Sequence, residues 1–494
     1  MNKQKSIYLG GGFRQHQLLF MMPIVASYCK SKKIKNIIIE KNLINKSLNH
    51  NLIKEIKKNF NLITLPNLLK KKKFFFLLVL NFNLAIFFFK YFFLNKKKLL
   101  ERKDNWLNKQ IKHSIWDFGI RINKKNLIQL EFYSKIKSIY YASKFYSYSV
   151  LLMRYYDIHT AFLQHFVYFE RALFANLRKN NSKLIVKSFQ VLRVQKKNED
   201  LSANSLNNII FKRSYNFLGR KKIEKYWKHY LKGKSTYVDA RFASNLKGNI
   251  RTKKNVIFLH VFRDSPYTCI DNKRIFADYF HWFSSTLKIL SKSNEFWQIR
   301  VHPSSKKWGE NPQQIIDYTK NKIFGGEFPK NISFINNKLS NLKSFDKANR
   351  IVTYSGHAHL EAACFGIKPI VISRTTLSDF DKDLTLYPKD FEDYKKLLLL
   401  DSNNRKFKLK KNEIDISKRI FYLIHNCCNF TKDIKTSDIF FNQSNKKNLN
   451  NIYSSVFKNL GKSNIYLKKL GKAIGTEIQQ SLNSNFIKYF KNKV

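Results

Sequence analysis

The chain predicts an α/β fold built on parallel sheets and divided into at least two domains. Three observations carry this. Its 494 residues exceed what one typical domain holds. From Asn255 to Ser373, short apolar runs alternate with amphipathic segments of helical period. Near the start, Ser6–Leu9, a glycine cluster at Gly10–Gly12, a helical stretch to about Lys30 and Ile37–Glu40 repeat the same strand, loop, helix, strand order.

In the second region the elements follow in order. Val256–Leu259 is an apolar strand leading to Arg263-Asp264-Ser265-Pro266. Ile275, Tyr279, Trp282, Phe283, Leu287 and Leu290 recur at helical spacing. Phe296–Val301 is a strand running into His302-Pro303, and Arg350–Thr353 a strand ending in Tyr354-Ser355-Gly356. A helix from Ala358 to Phe365, closed by Gly366, leads to the strand Lys368–Ser373. Ligands of parallel sheets sit beyond the carboxyl ends of the strands. Those ends here carry Asp264, His302, Ser355, Gly356, Ser373 and Arg374.

That rim has the chemistry for an anion. The Ser355-Gly356 turn offers N–H groups at a helix start, and Gly356 permits close backbone approach. Arg300 and His302, two apart on one strand, share a face and can donate to phosphate oxygens, with Pro303 stiffening the turn. Glu361, in the first turns of the helix, is either an acceptor for ribose hydroxyls or a solvated helix residue.

Taken in order and spacing, Phe258–Tyr267, Asp278–Phe283, Arg300–Pro303, Tyr354–Gly356 and Glu361–Pro369 resemble bacterial capsular-polysaccharide biosynthesis proteins. That group consists of GT-B glycosyltransferases related to capsule Kdo transferases and, more distantly, to sialyltransferases with a His-Pro motif. The resemblance covers the second half of the chain. It implies two Rossmann-like domains facing a cleft, with a nucleotide-sugar donor in the C-terminal one. It also implies that His302 meets the donor phosphate and that Ser355 and Gly356 face the nucleotide. The corresponding boundaries are 1–250 for an acceptor-side domain, 251–430 for the donor domain and 431–494 for a basic tail. The implied activity is transfer of a sugar to a surface polysaccharide or lipid-linked acceptor, in capsule or lipopolysaccharide biosynthesis. Two rivals are a sugar-nucleotide epimerase on the same scaffold and a non-catalytic polysaccharide- or membrane-binding protein.

The N-terminal half offers acceptor-side candidates. Gly11 and Gly12 do not complete a GxGxxG motif, so a dinucleotide site is not expected. They let an acceptor or the donor sugar approach, with Arg14 and His16 beside them, or they form a plain β-to-α turn. His159, His165 and Glu170 can supply a general base or acceptor contacts. Asp264 is the first choice for an essential carboxylate, with Glu170 and His16 in reserve; the alternative is that it caps the turn before Pro266. No metal site and no cofactor are expected.

Charge and apolarity point to a surface. The 93 Lys and Arg against 33 Asp and Glu give a net charge of +60, while the abundance of Asn, Ile, Phe and Tyr matches an A/T-rich coding background. No nucleic-acid signature accompanies the charge, so no nucleic-acid partner is expected. The five cysteines, with no CxxC pair, suit a reducing cytosol. Phe74 to Leu94 is almost wholly apolar between Lys71–Lys73 and Lys96–Lys98. A bilayer span would separate the two halves of a cleft, so a buried or interfacial helix at the inner leaflet is expected, with a transmembrane span as the alternative. The tail, with 12 Lys against 3 acidic residues, is a second candidate contact. A cytoplasmic protein, peripheral at an anionic membrane surface, follows.

Overall fold

A computed structural model describes residues 3–10, 25–26, 28–29, 32–39, 57–93, 105–123, 131–163, 169–188, 191–194, 220–232, 254–262, 275–276, 279–303, 305–306, 309–335, 341–346, 348–356, 358–373 and 384–422. These residues divide into two compact α/β units, each built on its own sheet.

The first unit contains β1 (Lys5–Leu9), β2 (Asn36–Ile39) and β3 (Asn61–Thr64), then the helices α1 (Leu65–Lys71), α2 (Lys73–Tyr91), α3 (Trp106–Ile122, whose last turn belongs to the second unit) and α4 (Phe132–Tyr155). β4 (Asp157–Leu163), α5 (Glu170–Lys179), β5 (Lys183–Ser188) and β6 (Val191–Val194) complete it. The sheet order is β3-β2-β1-β4-β5-β6, parallel except for the β5–β6 pair. Ile7, Leu9, Ile37 and Ile38 have no exposed surface, as strands covered on both faces require. α4 packs on α2 and α5, and its buried Ser143 and Ser147 return their hydroxyls to the Ile139 and Ser143 carbonyls of the preceding turn. Arg171 on α5 is buried against α3, with Nε 2.8 Å from Gln110 Oε1 and Nη1 3.3 Å from Asp117 Oδ2.

The second unit opens with α6 (Arg220–Leu231), followed by β7 (Lys254–Phe258), α7 (Tyr279–Leu290), β8 (Trp297–Arg300), α8 (Pro312–Tyr318) and β9 (Ile332–Phe334). Next come α9 (Asn341–Asp346), β10 (Ala348–Thr353), α10 (Ala358–Cys364), β11 (Ile370–Val371), α11 (Phe391–Leu399) and α12 (Lys411–Tyr422). All five strands are parallel, in the order β11-β10-β7-β8-β9. The chain thus starts at the central strand, runs outward to one edge, and returns to build the other side. That is a doubly wound arrangement with its reversal between β7 and β10. The first unit reverses in the same way between β1 and β4.

The α/β class and the two Rossmann-like units expected from the sequence are therefore present. The helix at 220–231 departs from the boundary drawn at 250. Its Trp227 and Tyr230 pack with Leu360, Cys364 and Phe421, inside the second unit. α12 packs in that unit on α10 and α6. α10 ends as its sequence predicts: the Ile367 N–H reaches the Ala362 carbonyl, the Gly366 N–H reaches that of Ala363, and Gly366 takes φ +84°. The tail at 431–494 lies outside the described residues.

At the amino edge of the second sheet a buried arginine gathers several elements. Arg350, fully buried on β10, places Nη2 2.6 Å from Glu295 Oε2. Its Nη1 donates to the carbonyls of Leu397, Leu398 and Leu400 at 3.3, 3.0 and 2.5 Å, the exposed-carbonyl end of α11. The guanidinium stacks 4.5 Å from the Trp297 ring and 5.0 Å from that of Phe407. Arg350→Ala removes one partner of a buried pair and uncaps a helix. It should cost about 3–5 kcal/mol of stability, read from urea unfolding followed by circular dichroism. A loss below about 1 kcal/mol would remove Arg350 as an anchor.

Candidate functional site

The site grows from the register of the second sheet. Phe258, the last residue of β7, pairs with Arg300, the last of β8. Two residues further on stand His260 and His302, so the same offset from paired strand ends brings two imidazoles side by side. Their ring centroids are 6.3 Å apart with planes 22° from parallel. Ladder bonding continues past the strands: the Leu259 N–H reaches the Arg300 carbonyl at 2.9 Å, and the Ser373 N–H reaches that of Tyr354 at 2.7 Å. The rim is thus held by backbone bonds on both sides of the switch point.

His260 occupies that switch point. Its Nε2 donates to the Ser355 carbonyl at the end of β10, which fixes the tautomer because a carbonyl only accepts. Its backbone N–H donates to Tyr279 Oη at 2.6 Å, so α7 positions the loop after β7. Tyr279 belongs to an aromatic wall with Phe262, Trp282 and Tyr354. Thr353 Oγ1 lies 3.2 Å from both the Phe258 and the Ser355 carbonyls. Gly356 follows at φ +100°, and a Cβ there would collide with the His260 imidazole. Glycine is required twice over, by dihedral and by space.

His302 sits at the start of a tight turn. Both the N–H and the hydroxyl of Ser305 donate to the His302 carbonyl, at 3.0 and 2.9 Å, with Pro303 between them. Burial, then the neighbouring His260 and Arg300, hold the His302 imidazole down at about 3. It is therefore neutral over the physiological range in the ligand-free protein.

Two expected rim residues lie elsewhere. Arg300 does not share an exposed face with His302: its side chain is buried, with Nη1 3.2 Å from Ser344 Oγ and the guanidinium over the Phe258 ring. Glu361 is neither a solvated helix residue nor on the rim. It is buried on α10 and accepts from the Tyr230 hydroxyl of α6. Burial raises its carboxyl to about 7, against the opposing pull of the Tyr230 hydrogen bond and Arg300. α10 is seven residues long, so its dipole adds little at the Ser355–Gly356 turn. The His302 imidazole and the turn itself are the rim groups left to meet an anion, because the one N–H of His260 is taken by the Ser355 carbonyl.

Of the other candidates, Pro303, Ser355 and Gly356 stand with His302 on this rim. Glu170 is half-buried at the first position of α5, in the first unit. His159 lies within β4 rather than at its end, with Nδ1 2.7 Å from Thr160 Oγ1. Gly11, Gly12, Arg14, His16, His165, Asp264 and Arg374 lie outside the described residues. Among the described residues no group of three or more His, Cys, Asp and Glu side chains forms a candidate metal site.

No protein-family model matches the chain, and no curated protein matches it. Solved structures with some likeness include the KpsC beta Kdo 2,4 transferase of Thermosulfurimonas dismutans. It is 12% identical with a TM-score of 0.32, covering 53% of this chain and 79% of that one. The UDP-GlcNAc 2-epimerase of Methanocaldococcus jannaschii, in complex with UDP-GlcNAc and UDP, is 12% identical with a TM-score of 0.29, covering 85% and 99%. That of Neisseria meningitidis, bound to UDP-GlcNAc, is 9% identical with a TM-score of 0.30, covering 85% and 98%.

Gly356→Ala should destabilise by about 1–3 kcal/mol from the dihedral alone, with the collision added. His260→Ala in the same chain should recover the collision part. Additive losses in that double-mutant cycle would show that the two do not meet.

The buried titratable groups give opposite pH slopes. Glu361 is raised from 4.5 to about 7, so its contribution, about 3 kcal/mol by linkage, is full below pH 4.5 and lost as pH rises to 7. His302 is lowered from 6.5 to about 3, so its contribution is present above pH 6.5 and lost as pH falls. Glu361→Gln should raise stability at pH 8 relative to pH 5, compared with the parent, in parallel urea titrations. Equal pH profiles for the two proteins would contradict the buried carboxyl.

Proposed function

We propose that the chain is a glycosyltransferase that binds a nucleotide-sugar donor on the rim of the second unit and passes the sugar to a surface-polysaccharide or lipid-linked acceptor. The observation that carries this is the meeting of His260, His302 and the Ser355-Gly356 turn at the switch point between β7 and β10. Doubly wound sheets receive nucleotides at such crevices. The resemblance of the His302-Pro303 and Ser355-Gly356 segments to capsular glycosyltransferases supports the same reading.

On this reading the donor diphosphate lies against His302 and the Ser355–Gly356 turn. The acceptor hydroxyl attacks the anomeric carbon, the bond from that carbon to the phosphate oxygen breaks, and the nucleoside diphosphate leaves. Negative charge develops on the leaving oxygen, and N–H donors already in place stabilise it without reorganising. His302 is neutral before binding, so it meets the phosphate as an N–H donor, and the phosphate charge draws a proton onto it. His260 holds the turn rather than the substrate. The acceptor proton needs a base, for which Asp264, Glu170 and His16 are the candidates. Arg300 and Glu361 act behind the rim as its charged support. No bound metal is part of this scheme, and the protein works in the cytoplasm.

Calorimetry with UDP and a panel of other nucleoside diphosphates tests the donor site. Binding should be accompanied by proton uptake, visible as a dependence of the heat on the buffer's ionisation enthalpy. His302→Ala should weaken the best nucleotide by about 1.5–3 kcal/mol, the range for a bond to a charged group. Unchanged affinity in the folded variant would sink the assignment. Incubating the bound nucleotide-sugar with and without glycan acceptors separates transfer from epimerisation: release of an epimer without acceptor would replace the transferase reading.

A further inference from the structure

We propose that α2 is an in-plane membrane anchor whose outward stripe docks the first unit onto an anionic lipid surface. The helix has two faces. Phe76, Leu80, Asn83, Phe87 and Tyr91 form an inner stripe buried against the unit. Phe76 stacks on Tyr148 at 5.1 Å, and Asn83 Nδ2 donates to Ser147 Oγ at 3.0 Å. On the opposite side Phe74, Leu78, Phe82, Ile86, Phe89 and Phe93 follow at steps of three or four residues. Phe74, Phe82, Phe89 and Phe93 are 82, 65, 76 and 75% exposed. Contiguous large apolar side chains of this kind mark an interaction surface.

Charge selects the occupant. Exposed lysines at 70–73 flank one end of the stripe, and exposed Lys90 lies near the other. The whole segment from Leu65 to Phe93 contains no Asp or Glu, and neither does α4. An apolar stripe between cations matches a layer of acyl chains beneath anionic headgroups. A second copy of this face would set Lys70–Lys73 against its own kind in a parallel pairing and against Lys90 in an antiparallel one. The chain's own basic tail would add repulsion of the same kind.

Geometry selects the orientation. The 19 residues of α2 extend roughly 28 Å. Lying in the plane, the helix keeps both lysine groups at headgroup depth and keeps its inner stripe on α4. Spanning the bilayer would strip that stripe and expose the Asn83 amide to hydrocarbon. The aromatic patch continues at the start of α4, where Phe132 and Tyr133 are 69 and 68% exposed and the Phe132 ring is 5.5 Å from Phe92.

The test uses the full chain and sedimentation with phosphatidylcholine vesicles, with and without phosphatidylglycerol. The wild type should partition onto the anionic vesicles. Phe74→Ser, Phe82→Ser and Phe89→Ser combined should lower that partition about tenfold or more, with an unchanged thermal melt. Single Phe82→Ser and Phe89→Ser variants, each at an exposed helix position, should show smaller losses in the same direction. Lys71→Glu with Lys73→Glu should remove the preference for phosphatidylglycerol. Absence of binding by the wild type, or undiminished binding by the triple variant, overturns the proposal. So does a wild-type dimer in sedimentation velocity that the triple variant dissociates. Neither readout involves nucleotide binding, so this proposal and the transferase reading fail separately.

Discussion

Much of the second unit depends on one guanidinium. Arg350 is fully buried on an interior strand, and a lone charge there would be untenable. It is accommodated by Glu295, by three carbonyls at the end of α11, and by the faces of Trp297 and Phe407. Glu295 in turn accepts from Asn255 Nδ2 and from the Ser402 N–H. Asn255, Glu295 and Arg350 all sit at the amino ends of β7, β8 and β10. The sheet is therefore tied at one edge by charge and hydrogen bonds, which leaves the opposite edge available for polar groups that a ligand can satisfy.

That opposite edge is electrostatically quiet without a ligand. The imidazole best placed to meet a phosphate is kept neutral by its surroundings, and Arg300 is turned inward. A rim of fixed cations would bind any anion in solution. If His302 takes up a proton on binding, as proposed, the rim discriminates by geometry first, because the added charge is favourable only when the phosphate lies against the ring. The link from His260 to the Ser355 carbonyl joins the two sides of the crevice, so β7 and β10 present their ends as one surface.

Much of this was legible in the sequence. The apolar runs of β1, β2, β7, β8, β10 and β11 stood out, as did α7 and α10 with its glycine stop. β3, β4, β6 and β9 were not singled out, being short or mixed with polar residues such as His159 and Thr160. Register was harder. His260 and His302 stand at equal offsets from their strands, but that matters only once Phe258 is known to pair with Arg300. The alternation that placed Arg300 and His302 on one face applies inside a strand, and His302 lies beyond the end of β8 in a turn set by Pro303 and Ser305. Glu361 was misplaced because its partner, Tyr230, is 131 residues away, on a helix of the second unit that the boundary at 250 assigned to the first domain.

Asn83 carries a further consequence. It is the one amide in the buried stripe of α2, and its partner is a serine near the middle of α4. Sliding α2 by one turn toward Leu151 would set the amide against a hydrocarbon side chain in place of the Ser147 hydroxyl, at a cost of about 1–3 kcal/mol. Apolar contacts alone would tolerate several such settings, since phenylalanine and leucine fill one another's places at modest cost. The single hydrogen bond narrows the settings to those that present a serine, and it favours the one in which the aromatic face of the helix looks outward.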